Sequence, residues 1–291
     1  MSDIKNNKIS FQGQSGAYSE VACLTSFPNM ETLPCDTFED AFDSVTSGNA
    51  KLAMIPIENS QAGRVADIHN LLASSSLHII GEHFQPVRHQ VLTIPGARID
   101  DVKNVSSHAQ AISQCRNFLN NHGLMPIIWG DTAGAAADIA AKKDIKCAAI
   151  ASNLAAKIHG LNILFSNIED SENNITRFVI LSKEAVDPDP TNDLVITSCI
   201  FKVRNIPAAL YKALGGFATN RVNLLKLESY MIDGSFASTQ FYVDIEGHPK
   251  VDKVRLALEE LGFFSKEVKI LGVYRAPVSY THLTLPTNRE V

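Results

Sequence analysis

Cysteine is scarce and poorly spaced for chemistry. The five residues Cys23, Cys35, Cys115, Cys147 and Cys199 are scattered, odd in number and never arranged as CxxC. Such a set argues against a zinc site or a disulfide framework and favours a reduced, cytoplasmic compartment. Long apolar runs are missing as well. No window approaches the roughly 18 residues of a membrane span, and the opening "MSDIKNNKISFQ" lacks the apolar stretch of a signal peptide. Neither sign of charge dominates. A net charge of −5 without a Lys/Arg run excludes an extended nucleic-acid surface but leaves room for a local anion site. There is no GxGxxG, P-loop, GxSxG or HExxH, so the chain carries no signature for a cofactor or a metal.

What is present is ordinary for a globular protein: 291 residues, 45% hydrophobic and 20% charged, enough for about two domains. Short apolar runs alternate with helical stretches. Strands are predicted at 8–12, 32–36, 52–57, "LHIIGEHF", "HQVLTIP", "VKNVSS", "PIIWG", "CAAIA" and "TRFVILS". Helices are predicted at 18–27, "FEDAFDSVTSG" capped by Thr37 and Asp40, 65–73, "AQAISQCRNFLNNHG", "TAGAAADIAAKK" and "NLAAKIHG". This β/α rhythm predicts largely parallel sheets with helices on their faces. The acidic, Pro-rich "KEAVDPDPTND" at 183–193 reads as a linker. Beyond it, strand 194–203, helix 206–218, strand 222–231, a turn at Asp233 and Gly234, strand 236–245, helix 249–261 and strand 266–274 form a ferredoxin-like βαββαβ unit. The ending "APVSYTHLTLPTNREV", 276–291, breaks this style and reads as a non-native or disordered tail.

Five polar segments stand where strands begin or end, the place where open α/β sheets bind ligands. "GQSGAYS" (13–19), with Tyr18, is either a tight turn or a helix start that offers N–H groups to an anion. "PIENSQAG" (56–63) puts Glu58, Asn59 and Ser60 after a buried run, as a site or as turn chemistry. In "SSHAQA", Ser107 as an N-cap and Gln110 as its box partner account for themselves, while His108 does not. In "DTAGAAA", Thr132 caps a helix whose small residues admit either a ligand or a packed neighbour. In "NNITRFVIL", Thr176, Arg177 and Phe178 enter a buried strand together, with an arginine that is charged at any working pH. Together they describe a pocket for a small anionic substrate and acid-assisted chemistry.

These segments resemble prephenate dehydratase. Its patterns GxxGxYS, IPIENS, SHxQA, TAxAA and NxTRF stand here, in order, as "GQSGAYS", "IPIENS", "SHAQA", "TAGAA" and "NITRF". The resemblance spans roughly 8–275 and implies two α/β lobes of periplasmic-binding-protein type around a cleft, followed by an ACT domain. On this basis the catalytic domain is 8–182, with one lobe from about 8–80 and 160–182 and the other from 81–159. The ACT domain is 194–275. The implied reaction takes prephenate to phenylpyruvate, carbon dioxide and water without a cofactor.

By the same resemblance, Thr176 donates to the leaving oxygen, Arg177 holds a carboxylate, and Glu58, Asn59, Ser60, Ser107, His108, Gln110, Thr132 and Tyr18 line the cleft. The proton donor is left among Thr176, Glu58 and His108. The family's usual GAL and ESRP segments stand here as "AAL" (Ala208, Ala209, Leu210) and "ESYM", which keeps Glu228 and Ser229. Asn223 and Leu224 complete the set of effector contacts, with phenylalanine the expected effector and a homodimer or homotetramer the expected assembly. Arogenate dehydratase and a non-catalytic amino-acid sensor are the competing expectations.

Overall fold

The computed structural model describes residues 7–65, 68–191, 194–204, 206–232 and 235–277. The turn expected at Asp233 and Gly234 and nearly all of the unusual tail lie outside them. The chain divides into two compact units, residues 1–65 with 83–178, and 66–82 with 179–291.

The elements run β1 (Lys8–Gln12), α1 (Tyr18–Ser26), β2 (Glu31–Cys35), α2 (Phe38–Thr46), β3 (Leu52–Asn59), β4 (Gly63–Arg64), α3 (Ile68–Ser74), β5 (His78–Pro86), β6 (Gln90–Thr93), β7 (Asn104–His108), α4 (Ala109–Ser113), α5 (Arg116–Asn121), β8 (Met125–Trp129), α6 (Thr132–Lys142), β9 (Cys147–Ala151), α7 (Asn153–His159), β10 (Asn162–Ser166) and β11 (Ile175–Ser182). The remainder is β12 (Val195–Val203), α8 (Ala209–Thr219), β13 (Leu224–Ile232), β14 (Ser235–Glu246), α9 (Asp252–Phe264) and β15 (Ser265–Arg275).

The first sheet has the order β2-β1-β3-β11-β5, with β4 attached to β3, and β1 pairs parallel with both β2 and β3. Residues Leu52 to Ile55 of β3 are all buried, as expected for a central strand covered on both faces. The capping box of Thr37 and Asp40 starts α2 as the sequence predicts.

The second sheet runs β10-β6-β9-β7-β8. It is mixed rather than largely parallel: β7 pairs parallel with β8 and β9, but β6 pairs antiparallel with β9 and β10. The pairing of β10 with β6 places 162–166 in the second lobe, not in the first as expected from the sequence. The two sheets exchange the chain at 87–89 and 167–174 instead. The single helix expected over 109–123 is two short ones, interrupted at Cys115, which is buried and adopts a non-helical backbone conformation. The small residues of α6 settle the question their composition raised. Ala133, Ala135, Ala136 and Ile139 are buried, the last three beside Leu92, Ala149 and Ala151, so close helix–sheet packing explains them.

The second unit holds the four-stranded sheet β13-β14-β12-β15, antiparallel throughout, with the βαββαβ order read from the sequence. Helices α8 and α9 cover one face over Phe201, Phe217, Val243, Ile245 and Leu261. On the other face lies α3. Its His69 is 1% exposed, stands 3.2 Å from the Glu228 carboxylate and packs its ring against Tyr230 and Tyr242. Lys269 of β15 donates to the carbonyls of Leu72, Ala73 and Ser75 at 3.4, 2.9 and 2.5 Å, a cation at the negative end of α3. At Gly272 an added Cβ would lie 2.0 Å from the Ile79 carbonyl, so only glycine allows that approach.

Ala208, just before α8, has φ +58°. A left-handed residue here explains a family glycine through conformation, where the sequence pointed only to close approach. Ala208→Gly is expected to raise stability by about 1 kcal/mol, seen as a higher denaturant midpoint with unchanged slope.

Candidate active site

The carboxyl ends of β1, β3 and β7 and the starts of α1 and α6 meet at a cleft of about 350 Å³ between the two sheets of the first unit. Tyr18, Asn59, His108, Gln110, Thr132 and Thr176 all line it. Phe178, His89, Gln114, Asp36 and Asp131 line it too. Among these described lining residues there is no lysine or arginine.

Arg177 is the main departure. A strand points successive side chains to opposite faces, so Thr176 and Phe178 reach the cleft and Arg177 does not. The residue is 7% exposed, and its guanidinium lies 3.3 Å from the Glu58 carboxylate and 6.0 Å from the centre of the Phe84 ring. Glu58 turns to Arg177 and is not a lining residue. Ser60 is likewise structural. Its hydroxyl donates to the Asn173 carbonyl at 2.5 Å and accepts from the Ile175 N–H at 3.0 Å, joining the end of β3 to the start of β11. Ser107 is fully buried in β7 and donates to the Ile150 carbonyl at 2.6 Å. The N-caps both lie one residue from where the sequence put them. His108, not Ser107, caps α4, its Nδ1 accepting from the Gln110 N–H at 3.3 Å, and Asp131, not Thr132, caps α6 by accepting from Gly134 at 2.7 Å.

"GQSGAYS" serves packing and site together. Gly16 has φ +95°, and a Cβ there would meet Ala155 Cα at 2.8 Å. Its carbonyl accepts from Ser152 at 2.6 Å and its N–H donates to Glu20 at 2.6 Å. Ala17, the N-cap of α1, supplies no side-chain cap.

Asn59 organises the floor. Its Oδ1 accepts from the N–H groups of Gln61 and Ala62, both at 2.9 Å. Its Nδ2 donates to Thr176 Oγ1 at 3.0 Å and to Asn174 Oδ1 at 2.9 Å. With a lone pair of Thr176 occupied, its proton is directed away from Asn59. His89 stands beyond, its Nδ1 2.8 Å from the Tyr18 hydroxyl and its Nε2 3.0 Å from Gln114 Oε1. Burial lowers the His89 imidazole below its ordinary value, so the ring is neutral near pH 7. Burial also pushes the Tyr18 phenol well above its ordinary value, aided by Cys115 and Glu169.

His89, Gln114 and Asn174 are absent from the residues expected from sequence. One signal was available: Gln114 follows Gln110 by four positions, one helical turn on the same face. Of the expected effector residues, Leu210 and Leu224 pack against the same core beneath α8 and α9. Asn223 donates to Glu246 at 3.3 Å. Ala208 and Ala209 flank the start of α8 and Ser229 pairs with Phe241 in the ladder. Glu228 is held apart from 208–210, on the sheet face that carries His69, where Lys226 also reaches it at 2.9 Å.

Two α/β lobes around a cleft, followed by an antiparallel βαββαβ unit, define a two-lobed α/β protein with an appended ferredoxin-like domain. The chain belongs to the prephenate dehydratase family, whose model matches residues 9–186. It is 48% identical over 271 residues to a bifunctional N-acyl-homoserine lactone acylase/prephenate dehydratase of Komagataeibacter europaeus, covering 92% of this chain and 95% of that one. It is 42% identical over 281 residues to arogenate dehydratase/prephenate dehydratase 1 of Arabidopsis thaliana, covering 92% and 71%. A solved prephenate dehydratase of Arthrobacter aurescens in complex with L-Phe superposes with a TM-score of 0.84 at 29% identity, covering 92% and 90%.

The Arg177–Glu58 pair yields a test that separates structure from substrate binding. Arg177→Met takes a buried guanidinium away from the Glu58 carboxylate, so a stability loss of about 2 kcal/mol is expected in a denaturant melt. A direct substrate contact would instead raise KM with the melt unchanged.

Proposed function

We propose that the chain converts prephenate to phenylpyruvate, carbon dioxide and water. The observation that carries this is the Thr176 hydroxyl in the cleft, with Asn59 donating to its oxygen. In the reaction the bond to the ring carboxylate breaks and its electron pair enters the ring. The ring C–O bond then breaks, and hydroxide leaves with a proton as water. Aromatisation drives the step, so the enzyme's task is to hold a dianion and aid departure of the hydroxyl. A donor bond into Thr176 Oγ1 polarises its O–H toward the leaving oxygen. His108 is the second candidate donor. It is exposed at the cleft, and acceptance at Nδ1 leaves its proton on Nε2 in the neutral ring. Glu58, turned to Arg177, is the least suited of the three.

With no cation among the described lining residues, the substrate carboxylates fall to neutral donors: Gln110, Thr132, Tyr18 and the N–H groups at the starts of α1 and α6. The C-terminal unit reads as an ACT domain that takes phenylalanine, a reading supported by the L-Phe complex of the Arthrobacter relative. Assembly as a homodimer or homotetramer in the cytoplasm completes the picture.

Arogenate is the alternative substrate, since several plant relatives carry both dehydratase names. The Komagataeibacter relative adds N-acyl-homoserine lactone hydrolysis as a second reading. Incubation with prephenate, arogenate and an acyl-homoserine lactone, followed for phenylpyruvate, phenylalanine and homoserine lactone, separates these and the non-catalytic sensor. Thr176→Ala is expected to fold and to lose kcat by at least 100-fold; near wild-type turnover rejects the assignment. Titration calorimetry with phenylalanine is expected to show binding together with inhibition, and neither heat nor inhibition would reject it as the effector.

A further inference from the structure

The hydrogen bonds across the cleft floor have a fixed direction, and the direction can be read from one end. A backbone N–H only donates, so the Asn59 atom that receives both Gln61 and Ala62 is the amide oxygen. Its Nδ2 therefore donates to Asn174 Oδ1 at 2.9 Å. Asn174 is 1% exposed, and its own Nδ2 must then donate to Gln114 Oε1, 3.0 Å away. The atom of Gln114 that faces His89 Nε2 at 3.0 Å is the same oxygen, so Nε2 carries the proton. In the neutral ring Nδ1 is then bare and accepts from the Tyr18 hydroxyl at 2.8 Å. The Arg88 carbonyl, at 2.9 Å, is the other acceptor within reach of that hydroxyl. Nothing else orients Gln114, because its Nε2 is buried without a hydrogen-bond partner among the described residues.

We propose that Gln114 is a positioning residue: its side-chain oxygen locks His89 in the Nε2–H tautomer and ties the orientation of Tyr18 to that of Asn59 and Thr176. The role in turnover rests on the dehydratase reading; the tautomer lock does not. One oxygen takes two donors, one from each side of the cleft. Asn174 belongs to the segment that leads into β11, and His89 to the segment that leads into β6. The charged groups nearest His89 are compatible with a neutral ring. The Glu169 carboxylate accepts from the His89 backbone N–H at 2.9 Å and from Arg88 at 2.8 Å, so its charge is already engaged. Tyr18 and Cys115 are both held in their protonated forms by burial.

Nitrogen-15 NMR of the histidine rings in the full-length protein at pH 7.5 tests the lock directly. His89, assigned by its loss in His89→Asn, is expected to show an unprotonated Nδ1 and a protonated Nε2. Gln114→Met removes the shared acceptor at similar volume. It is expected to release His89 into a mixture of tautomers and to lower kcat on the order of 100-fold with a smaller change in KM. Gln114→Glu, which keeps an acceptor oxygen, is expected to keep Nε2 protonated even if the Met variant fails to fold. A protonated Nδ1 with a bare Nε2 in the wild-type protein overturns the lock. Unchanged kcat in a Gln114→Met protein whose His89 has changed tautomer overturns the positioning role. The expected NMR pattern in a protein without dehydratase turnover supports the lock and counts against the catalytic reading alone.

Discussion

Everything on the cleft floor depends on the one orientation open to the Asn59 amide. Two backbone N–H groups in the turn after β3 claim its oxygen, and the amide nitrogen is thereby aimed at Thr176 and Asn174. Asn and Ser after a strand are ordinary turn formers, and here turn and site are not alternatives. The turn supplies the fixed donors that make Asn59 directional, and Ser60 clamps the same turn to β11 through Asn173 and Ile175. A local backbone device thus sets the polarity of side chains contributed from more than 100 residues away in sequence.

On the dehydratase reading the cleft holds its substrate through oriented amides and hydroxyls, since its described lining carries the carboxylates Asp36 and Asp131 but no lysine or arginine. A lysine or arginine would hold an anion strongly, but it would hold the ground state and the transition state alike. Amides, hydroxyls and helix starts placed by packing need little rearrangement as charge moves during a reaction. The arginine that the sequence sets beside Thr176 belongs to the opposite face, where it neutralises Glu58 beneath Phe84. That pair helps to fix the strand from which Thr176 projects.

The sequence was a good guide to what depends on periodicity and a poor one to what depends on single-residue direction. The β/α rhythm, the α2 cap and the order of the last four strands were legible because each rests on a run of residues. Arg177 was misread because one step along a strand reverses the face, and the register cannot be known before the sheet is. Ser107 and Thr132 were each one place from the true caps because adjacent side chains, His108 and Asp131, can also accept from a helix N–H. Strand β10 escaped notice because "NILFS" is largely exposed and pairs only at an edge. The helix break at Cys115 has no glycine or proline to announce it. His89 and Gln114 were missed because each is a single polar residue whose partner lies far along the chain.

The family match ends near the linker, which invites the view that everything before it is one module and everything after it another. The segment 66–82 contradicts that division. It lies between "IPIENS" and the strand leading to His89, yet α3 rests on the βαββαβ sheet, with His69 against Glu228 and its carbonyl end on Lys269. Cutting the chain at residue 183 would part His69 from Glu228, Ile79 from Gly272 and the Lys269 ammonium from its carbonyls. The border that matters for making a free-standing piece of this protein is not a point on the chain.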